Sequence, residues 1–339
     1  MTFTQNLQTI IAGQNLDQDS SAAMLMDIFS GQITDAQIGA YMAALATKGE
    51  TFEELAGAAR AMRRKAVKIQ TLSQNAIDIV GTGGDATGTF NISTTTAFVV
   101  AGAGVTVAKH GNRSISSQCG SADVLEELGV NLATDPEIVE EAINEIGIGF
   151  MFAPLYHGSM KYAGQARQDC GIRSMFNMLG PLTNPAAASC QLLGVYAPQL
   201  TEMFAQALKL LKVKKAFVVH GHDGMDEITT TAPTRICELH DGHIRSYDLD
   251  PLDFFDDYAD PEDLKGGDVR TNAAITRAIL NRATGPKRDI VVLNAGAALV
   301  AAQIADTIKS GIELAEASID SGRALEKLDL LVGYTRENG

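Results

Sequence analysis

The sequence predicts an α/β protein in which a small N-terminal all-helical domain precedes a larger domain with a mainly parallel central sheet. The first 65 residues carry apolar side chains at helical spacing, with a cap signal at each break. After about residue 76, short runs rich in Val and Ile alternate with helical stretches, as in parallel sheets. At 339 residues the chain is long enough for about two domains. We therefore expect a helical domain at residues 1–70, joined by helices from about 165–190, and an α/β domain at residues 71–339.

Two helices of the first region begin at capping boxes. Thr34 and Gln37 open one helix, which Gly49 ends, and Thr51 and Glu54 open the next. This next helix finishes in a basic run made of Arg60, Arg63, Arg64, Lys65 and Lys68. Cations at a helix C-terminus offset its dipole and stay solvated, and we favour this interpretation over a nucleic-acid-binding face.

Apolar runs and helical spacing predict the elements of the second region. The candidate strands are Ile77–Val80, Val105–Ala108, Ala216–Val219 and Asp289–Leu293. The clearest helices lie at 133–147, 201–212 and 301–318, the first of them opening with a cap and a proline suited to its first turn.

Charge limits the kinds of partner that the chain can take. With 27 Lys and Arg against 41 Asp and Glu, the formal net charge is −14. A broad nucleic-acid-binding face needs clustered cations, so we expect no nucleic-acid partner and a local pocket for any anionic ligand. The segment Asp248–Asp268 carries nine acidic residues and one lysine, Lys265. Such dense carboxylates without fixed spacing favour a solvated surface excursion over a metal site.

Cysteine spacing and hydropathy predict the compartment. The four cysteines, Cys119, Cys170, Cys190 and Cys237, include no C-x-x-C pair, which favours reduced thiols. The first residues lack the basic and apolar regions of a secretory signal, and the longest apolar stretches are too short to span a bilayer. We therefore expect a cytoplasmic protein without a membrane partner.

A glycine-rich loop follows the first predicted strand. Ile77–Val80 runs into Gly81-Thr-Gly-Gly-Asp85, where the missing side chains let backbone N–H groups converge on an oxyanion. Polar residues from Asn91 to Thr94 then open an apolar helix, whose N-terminus favours negative charge. The loop matches neither the dinucleotide-binding nor the Walker pattern, so it predicts a phosphate or diphosphate site of another kind.

Two further polar segments follow predicted strands. Lys109-His-Gly-Asn-Arg113 supplies cations at a strand end, where α/β folds bind ligands. Asp226 and Glu227 are adjacent carboxylates that suit a hydrated Mg²⁺ bridging substrate phosphates. Zinc at His220 and His222 is a weaker alternative, because a strand-end histidine more often bonds the backbone.

Together these segments resemble the anthranilate phosphoribosyltransferase family. The similar motifs run in family order from about residue 77 to 235: Gly81-Thr-Gly-Gly-Asp85, Asn91-Ile-Ser-Thr94, Lys109-His-Gly-Asn-Arg113, Gly120-Ser-Ala-Asp-Val-Leu-Glu126, Phe176-Asn-Met-Leu-Gly-Pro-Leu-Thr-Asn-Pro185 and Asp226-Glu227. The resemblance implies the nucleoside phosphorylase type of fold and a homodimer with its active site at the hinge between two domains. It also implies a Mg²⁺-dependent transfer of the 5-phosphoribosyl group from 5-phosphoribosyl 1-diphosphate to anthranilate.

The resemblance further implies three sets of site residues. The donor would be bound by Gly81, Gly84, Asp85, Thr89, Asn91, Ile92, Ser93, Thr94, Lys109, His110, Gly111, Asn112, Arg113, Ser114, Ser116, Ser117 and Ser121. Anthranilate would meet Gly81, Asn112, Arg167, His157 and Pro181, with Arg167 pairing its carboxylate. Two Mg²⁺ ions would be held by Ser93, Asp226 and Glu227.

The chemistry of the reaction agrees with this assignment. Diphosphate leaves an anomeric carbon through a cationic transition state, so charge on the leaving group must be neutralised, which Mg²⁺ and Lys109 would do. Asp85 and Asn112 are the other candidate catalytic residues, Asp85 for orienting the amine or the ribose. An aromatic amine already carries a free lone pair at neutral pH, so no strong general base is required.

Positions 118 and 119 depart from the family pattern. They are Gln118 and Cys119, where the family commonly has a basic residue and Ser. Losing a cation there would weaken diphosphate binding or alter how the loop closes. Cys119 fits a replaced serine of a phosphate loop better than a nucleophile, since this chemistry forms no acyl intermediate.

Two other functions compete with the transferase. A pyrimidine nucleoside phosphorylase shares the architecture and also handles an anomeric carbon and phosphate, but the loops here have the transferase form. Some relatives of the enzyme bind nucleic acid, which needs a basic groove that a net charge of −14 disfavours.

Overall fold

The computed structural model describes residues 1–85, 87–114 and 119–339. The predicted donor residues Ser116 and Ser117, and the unusual Gln118, lie outside the described residues.

Four helices fill the N-terminal region, as its apolar spacing predicts. They are α1 (Phe3–Ile11), α2 (Gln18–Phe29), α3 (Asp35–Lys48) and α4 (Phe52–Lys65). Both predicted capping boxes are confirmed, with Thr34 Oγ1 accepting from Gln37 N and Thr51 Oγ1 from Glu54 N, each at 3.3 Å. Gly49 follows α3 at φ 87°, a left-handed conformation that glycine adopts without a Cβ clash. Within the basic run, Arg60 pairs with Asp19 and Arg63 donates to Leu182 O at 2.7 Å.

The remaining chain is an α/β unit around one seven-stranded sheet. The strands are β1 (Ile77–Gly81), β2 (Val107–Gly111), β3 (Ile148–Phe152), β4 (Cys190–Gly194), β5 (Lys215–Gly221), β6 (Thr234–His240) and β7 (His243–Leu249). Their order is β3-β2-β1-β4-β5-β6-β7, with β1 to β5 parallel and β6 and β7 antiparallel. The predicted fold class, with its mainly parallel sheet, is confirmed.

Helices cover the sheet and extend the N-terminal bundle. They are α5 (Ile92–Gly102), α6 (Ser121–Leu128), α7 (Pro136–Glu145), α8 (Ala153–Tyr156), α9 (Lys161–Cys170), α10 (Met175–Leu179), α11 (Leu200–Leu210), α12 (Val269–Leu280), α13 (Pro286–Ala301), α14 (Ile308–Asp320) and α15 (Arg323–Glu337). Among the described residues, none of these helices is long and apolar enough to cross a membrane.

Three predicted elements need correction. The strand predicted at Asp289–Leu293 is wrong, because those residues lie inside α13. This helix is buried on all sides from Ile290 to Ala301, so it shows no helical periodicity, and only Pro286 in its first turn marks it. The helix predicted at 301–318 begins only at Ile308, after a break that follows α13. The predicted strand Val105–Ala108 begins at Val107 and continues to Gly111, so Lys109 lies within it.

The acidic segment is exposed along most of its length but ends against the glycine-rich loop. Its carboxylates are exposed or half-exposed. Asp250 and Asp260 cap short 3₁₀ turns, Asp268 caps α12, and Asp248 pairs with Arg235. At its far end Gly266 N donates to Gly88 O at 3.0 Å, and Phe90 N donates to Leu264 O at 3.3 Å. The surface excursion therefore returns to the predicted site.

Two large apolar clusters lie on opposite faces of the sheet. One packs α5, α13 and α15 beside β1 and β2, and the other joins α11 and β5 to the N-terminal helices. Helices α9 and α10 pack against α2, α3 and α4. The division of the chain at residue 70 stays a prediction.

Candidate active site

The carboxyl ends of β1, β2 and β5 bring the three predicted segments together. These strands end at Gly81, Gly111 and Gly221, and the parallel pairing of β1 to β5 places their ends at one edge of the sheet. The β5–β6 connection carries Asp226 and Glu227 back over this edge.

Asp226 is the residue around which the glycine-rich loop is built. Gly83 N donates to Asp226 Oδ2 at 2.8 Å. A Cβ on Gly81 would lie 2.5 Å from the same oxygen, and a Cβ on Gly194 would lie 1.5 Å from Asp226 O. Glycine is therefore required at Gly81 and Gly194, because the turn that carries Asp226 and Glu227, here called the acidic turn, occupies the space of a side chain.

Three carboxylates converge beside this loop. The protein surrounds Asp226 and Glu227, and this burial raises the pKa of both groups. The charge of Asp85 raises the pKa of Asp226 further, and Asp226 does the same to Glu227. Asp85 itself accepts from Thr87 Oγ1 at 2.6 Å. Carboxylates crowded in this way favour a cation, because a positive ion relieves both their repulsion and their loss of solvent.

The donor set fits Mg²⁺ bound together with substrate oxygens. Within the described ranges no three His, Cys, Asp or Glu side chains are placed to hold an ion by themselves. Mg²⁺ keeps several waters and is usually bound by one or two carboxylates plus phosphate oxygens, so an incomplete protein ligand set is what such a site needs.

Lys109 is buried between these carboxylates and the end of β1. Its side chain is 4% exposed, and Nζ donates to Ile79 O and lies 3.5 Å from Ser93 Oγ. Burial lowers its pKa, while the charges of Asp78 and Glu227 oppose that effect. Lys109 therefore provides positive charge inside an otherwise acidic site.

Sequence reasoning missed Asp78. It lies on β1, is fully buried, and accepts from His110 N at 3.1 Å. Burial raises its pKa to about 6 against the opposing charge of Lys109. The signal was present, since a single carboxylate interrupts the apolar run from Ile77 to Val80. It was missed because the run as a whole is typical of a buried strand.

The N-terminus of α5 offers backbone groups more than side chains. Ile92 and Thr94 are each 1% exposed and pack inward, so their side chains are not available to a donor phosphate. Ile92 N already donates to Phe90 O at 2.8 Å, which leaves the later N–H groups of the first turn for an anion. Burial raises the pKa of Glu227, and the backbone of Ser93 opposes this effect only weakly. Thr89 forms an isolated bridge with Lys265 from the acidic segment.

Arg113, one of the predicted donor-binding residues, lies after β2 and is held by side chains of α6. Arg113 pairs with Asp123 at 2.9 Å and with Glu126 at 2.8 Å, both on α6. Asn112 O accepts from Ser121 Oγ at 3.2 Å, which fixes the start of α6 beside the strand end. Ser114 N donates to Asp123 Oδ2 at 3.2 Å.

The predicted anthranilate residues lie on the helical side. Arg167, on α9, stands 5.6 Å above the ring of Phe176. Burial alone lowers its pKa, and no described carboxylate offsets that effect. The rings of His157 and His110 meet edge to face at 5.0 Å. Pro181 lies in the turn Gly180–Leu182, and its carbonyl accepts from Gln191 Nε2 at 2.6 Å.

Arg173 is a second residue that sequence reasoning missed. It lies between α9 and α10 and reaches the glycine-rich loop, where Nη2 donates to Gly84 O at 3.3 Å. Its guanidinium stacks on the ring of Tyr196, 3.9 Å from the centroid. The local sequence gives no motif for it, because the contact joins segments that are 89 residues apart.

His220 shows the backbone bond expected of a strand-end histidine. Its Nδ1 lies 2.7 Å from Val195 O. His222 instead stands 3.7 Å from a carboxylate oxygen of Asp248. The two rings therefore have separate partners, which gives no support to zinc.

Comparisons with known proteins agree with this geometry. The α/β domain model of the glycosyl transferase family matches residues 73–325, and its helical bundle domain model matches residues 4–66. An anthranilate phosphoribosyltransferase of Desulfosudis oleivorans is 63% identical over 99% of this chain and 100% of its own. That of Syntrophobacter fumaroxidans is 64% identical over 98% of each chain.

Solved structures give the same result. The anthranilate phosphoribosyltransferase of Thermus thermophilus superposes with a TM-score of 0.92 at 40% identity, over 97% of this chain and 99% of that one. The Saccharomyces cerevisiae enzyme in complex with PRPP (5-phosphoribosyl 1-diphosphate) and Mg superposes with a TM-score of 0.90 at 26% identity. The match covers 99% of this chain and 98% of that one. With relatives this similar along its whole length and a site built from the family's motifs, the chain belongs to the anthranilate phosphoribosyltransferase family.

Proposed function

We propose that this protein transfers the 5-phosphoribosyl group of 5-phosphoribosyl 1-diphosphate (PRPP) to the amino group of anthranilate. The products are N-(5-phosphoribosyl)anthranilate and diphosphate, a step of tryptophan biosynthesis. The observation that carries the proposal is the acidic turn at Asp226, which fits against Gly81 and Gly83 and joins a phosphate cradle to a cation site. A related enzyme has been solved with PRPP and Mg, and again with 4-fluoroanthranilate.

The donor would lie across the glycine-rich loop and the N-terminus of α5. Backbone N–H groups there point to an anion without the steric barrier of side chains. Lys109 stands beside Ser93, where it can offset charge that grows on the departing diphosphate. Asp78 stabilises the charged form of Lys109 in this buried position.

Mg²⁺ would be held by Ser93, Asp226 and Glu227, and we propose two ions for each site. The bound metal supplies charge neutralisation on the diphosphate leaving group. The chain's own contribution is to hold the two carboxylates in a turn whose position Gly81 and Gly194 enforce.

Anthranilate would bind with its carboxylate on Arg167. This guanidinium is half-buried and has no described acidic partner, which suits a fork-shaped contact with a carboxylate. His110 and His157 offer a buried, uncharged surface to an aromatic ring, since burial lowers their pKa values to about 3 and about 4. Neither ring is poised as a base at neutral pH, in keeping with a nucleophile whose lone pair is already free.

We further propose that the protein acts in the cytoplasm as a homodimer. All four cysteines are described and are thiols, which fits a reducing compartment. Exposed apolar side chains on the helical side, among them Ile11 and Tyr162, support contact with a second copy. Light scattering should give about twice the 35.9 kDa of the chain.

The first test is the loss of anthranilate fluorescence when the purified protein is mixed with PRPP, with Mg²⁺ and then with excess EDTA. We expect a loss that requires both Mg²⁺ and PRPP. A folded protein that leaves the fluorescence unchanged would contradict the proposal. Phosphorolysis of uridine or thymidine would then test the phosphorylase alternative.

A further inference from the structure

A buried amide on α12 connects the end of the acidic segment to the donor loops. Asn272 is 2% exposed. Its Oδ1 accepts from Gly267 N at 2.8 Å, and its Nδ2 donates to Asn91 Oδ1 at 3.0 Å. Both ends of the amide are therefore used, one by the acidic segment and one by the loop that precedes α5.

Asn91 extends this hydrogen-bond network to Cys119, which lies just before α6. Its Nδ2 donates to Cys119 O at 3.3 Å, and Cys119 Sγ donates to Asn91 Oδ1 at 3.3 Å. The side chain of Asn91 is thus held on one side by Asn272 and on the other by the residue that precedes Gly120 and α6.

The order of donors and acceptors along this series of hydrogen bonds allows only one orientation for the side-chain amide of Asn272 and one for that of Asn91. Gly267 N–H can only donate, so the oxygen of Asn272 must face it and the nitrogen must face Asn91. Asn91 must then present its oxygen to Asn272 and its nitrogen to Cys119 O. A backbone N–H on the acidic segment therefore determines the direction of an amide inside the predicted donor site.

Three further hydrogen bonds hold the acidic segment against the glycine-rich loop. Lys265 Nζ donates to Thr87 O at 2.9 Å, beside the Gly266–Gly88 and Phe90–Leu264 bonds. A Cβ on Gly266 would lie 2.6 Å from Asn272 Oδ1 and 2.7 Å from Phe90 Cα. The fit leaves no room for a side chain, so the approach of the two segments is specific.

We propose that Asn272 is a positioning residue for the phosphoribosyl donor. It fixes the Asn91 amide, and through it the spacing between the N-terminus of α5 and the loop that enters α6. The inference rests on the proposed function, because it assigns those two loops to PRPP. It adds a residue that lies outside every sequence motif of the site and touches no substrate itself.

Two variants of similar size separate the bond that Asn272 makes to Gly267 from the bond that it makes to Asn91. Asn272→Leu removes both bonds. Asn272→Asp keeps the acceptor for Gly267 N but sets a second acceptor against Asn91 Oδ1, which turns the Asn91 amide away from Cys119 O. Since the loop that binds the donor loses a fixed contact, we expect the KM and the calorimetric Kd for PRPP to rise about fivefold to tenfold in both variants, which is about 1–1.4 kcal/mol. We expect kcat and the anthranilate KM to stay within about twofold.

Thr276→Val is the matched control. Thr276 lies one turn further along α12 and is fully buried, and its Oγ1 bonds Thr95 Oγ1 of α5 at 2.9 Å. The variant removes a buried bond between α12 and α5 but none of the bonds made by the side chain of Asn91. It should lower the melting temperature without changing the PRPP Kd.

Each outcome decides the question. Weaker PRPP binding in both Asn272 variants, with unchanged binding in Thr276→Val, supports the proposal. Unchanged PRPP binding in a folded Asn272→Asp protein overturns it, and so does an equal loss in all three variants. If Asn272→Leu does not fold, Asn272→Asp alone decides. A wild-type protein without transferase activity would instead overturn the proposed function.

Discussion

At the scale of single residues, Arg167 is the side chain that we propose to select the acceptor. A half-buried guanidinium loses solvation, and the described part of the chain offers it a ring face, that of Phe176, but no carboxylate. A planar fork of donors in this state matches a planar carboxylate better than any other anion.

The first prediction concerns this contact. Arg167→Ala should raise the anthranilate KM by about ten- to a hundredfold, since bonds to charged groups contribute about 1.5–3 kcal/mol, and should leave the PRPP KM nearly unchanged. Arg167→Lys keeps the charge but not the fork and should recover only part of the loss. Steady-state kinetics with each substrate varied in turn would measure this, and equal effects on both KM values would contradict the role.

The second prediction follows from the two buried histidines. Burial lowers the pKa of His157 to about 4 and that of His110 to about 3, whereas an unfolded histidine titrates near 6.5. The stability that comes from keeping them neutral is therefore present above pH 6.5 and is lost as the pH falls toward the folded values. At pH 5 the loss should be about 2 kcal/mol for each histidine.

Urea unfolding at pH 7.5 and pH 5 would measure this loss. His157→Asn should have a lower stability at pH 7.5 but a smaller decrease on acidification than the wild type. Parallel curves for the two proteins would show that His157 is not the group that titrates.

At the scale of elements, α13 holds the acidic turn that carries Asp226 and Glu227. Asn294, in the middle of this buried helix, accepts from Ile228 N at 3.0 Å and donates to Ile228 O at 2.7 Å and to Ile290 O at 2.8 Å. Ile228 directly follows Glu227, so one amide fixes both backbone groups next to the predicted metal residues.

The third prediction tests this support. Asn294→Leu would leave both polar groups of Ile228 without their partners, so we expect a loss of about 2–4 kcal/mol in the free energy of unfolding. The Mg²⁺ concentration that gives half-maximal activity should also rise, as should the Kd for Mn²⁺ measured by electron spin resonance. Ser318→Ala on α14, which removes a buried bond to Val99 O, is a control that should lower stability alone.

Elements were predictable where local chemistry decides them. The capping boxes at Thr34 and Thr51 and the strand at Ile77 needed only neighbouring residues. Helix α13 was not predictable, because a helix that is buried on all sides has no polar face and so no period. Asn272 and Asn294 escaped for a related reason. Each acts through a partner 181 or 66 residues away, and no short motif encodes such a contact.

At the scale of the whole molecule, the proposed function requires a strongly acidic chain to bind a strongly acidic substrate. The net charge of −14 repels PRPP, and the site places Asp85, Asp226 and Glu227 where its phosphates would lie. Long-range attraction cannot recruit the donor to such a surface. We therefore expect binding to depend on a cation that arrives with the substrate.

The fourth prediction is a strict synergy in thermal stability. PRPP and Mg²⁺ together should raise the melting temperature by several degrees, since a ligand at about 100 times its Kd adds about 2.7 kcal/mol. Each alone should raise it far less, because PRPP meets uncompensated carboxylates and Mg²⁺ meets an incomplete set of ligands. Differential scanning fluorimetry with the four combinations would measure this, and an equal shift with PRPP alone would contradict the need for the metal.

The contacts that hold the donor loop also set the order in which the protein can be made. Residues 83–85 and 87–91 leave the ribosome early. Asn272, which donates to Asn91, and Asn294, which bonds Ile228 next to Glu227, come about 180 to 200 residues later. At about 5–20 residues per second, this delay lasts roughly 10–40 s. For most of that time the loop has no acidic segment to pack against. A nascent chain stalled before residue 272 should therefore be cut by proteases within residues 83–85 and 87–91 more readily than the complete chain.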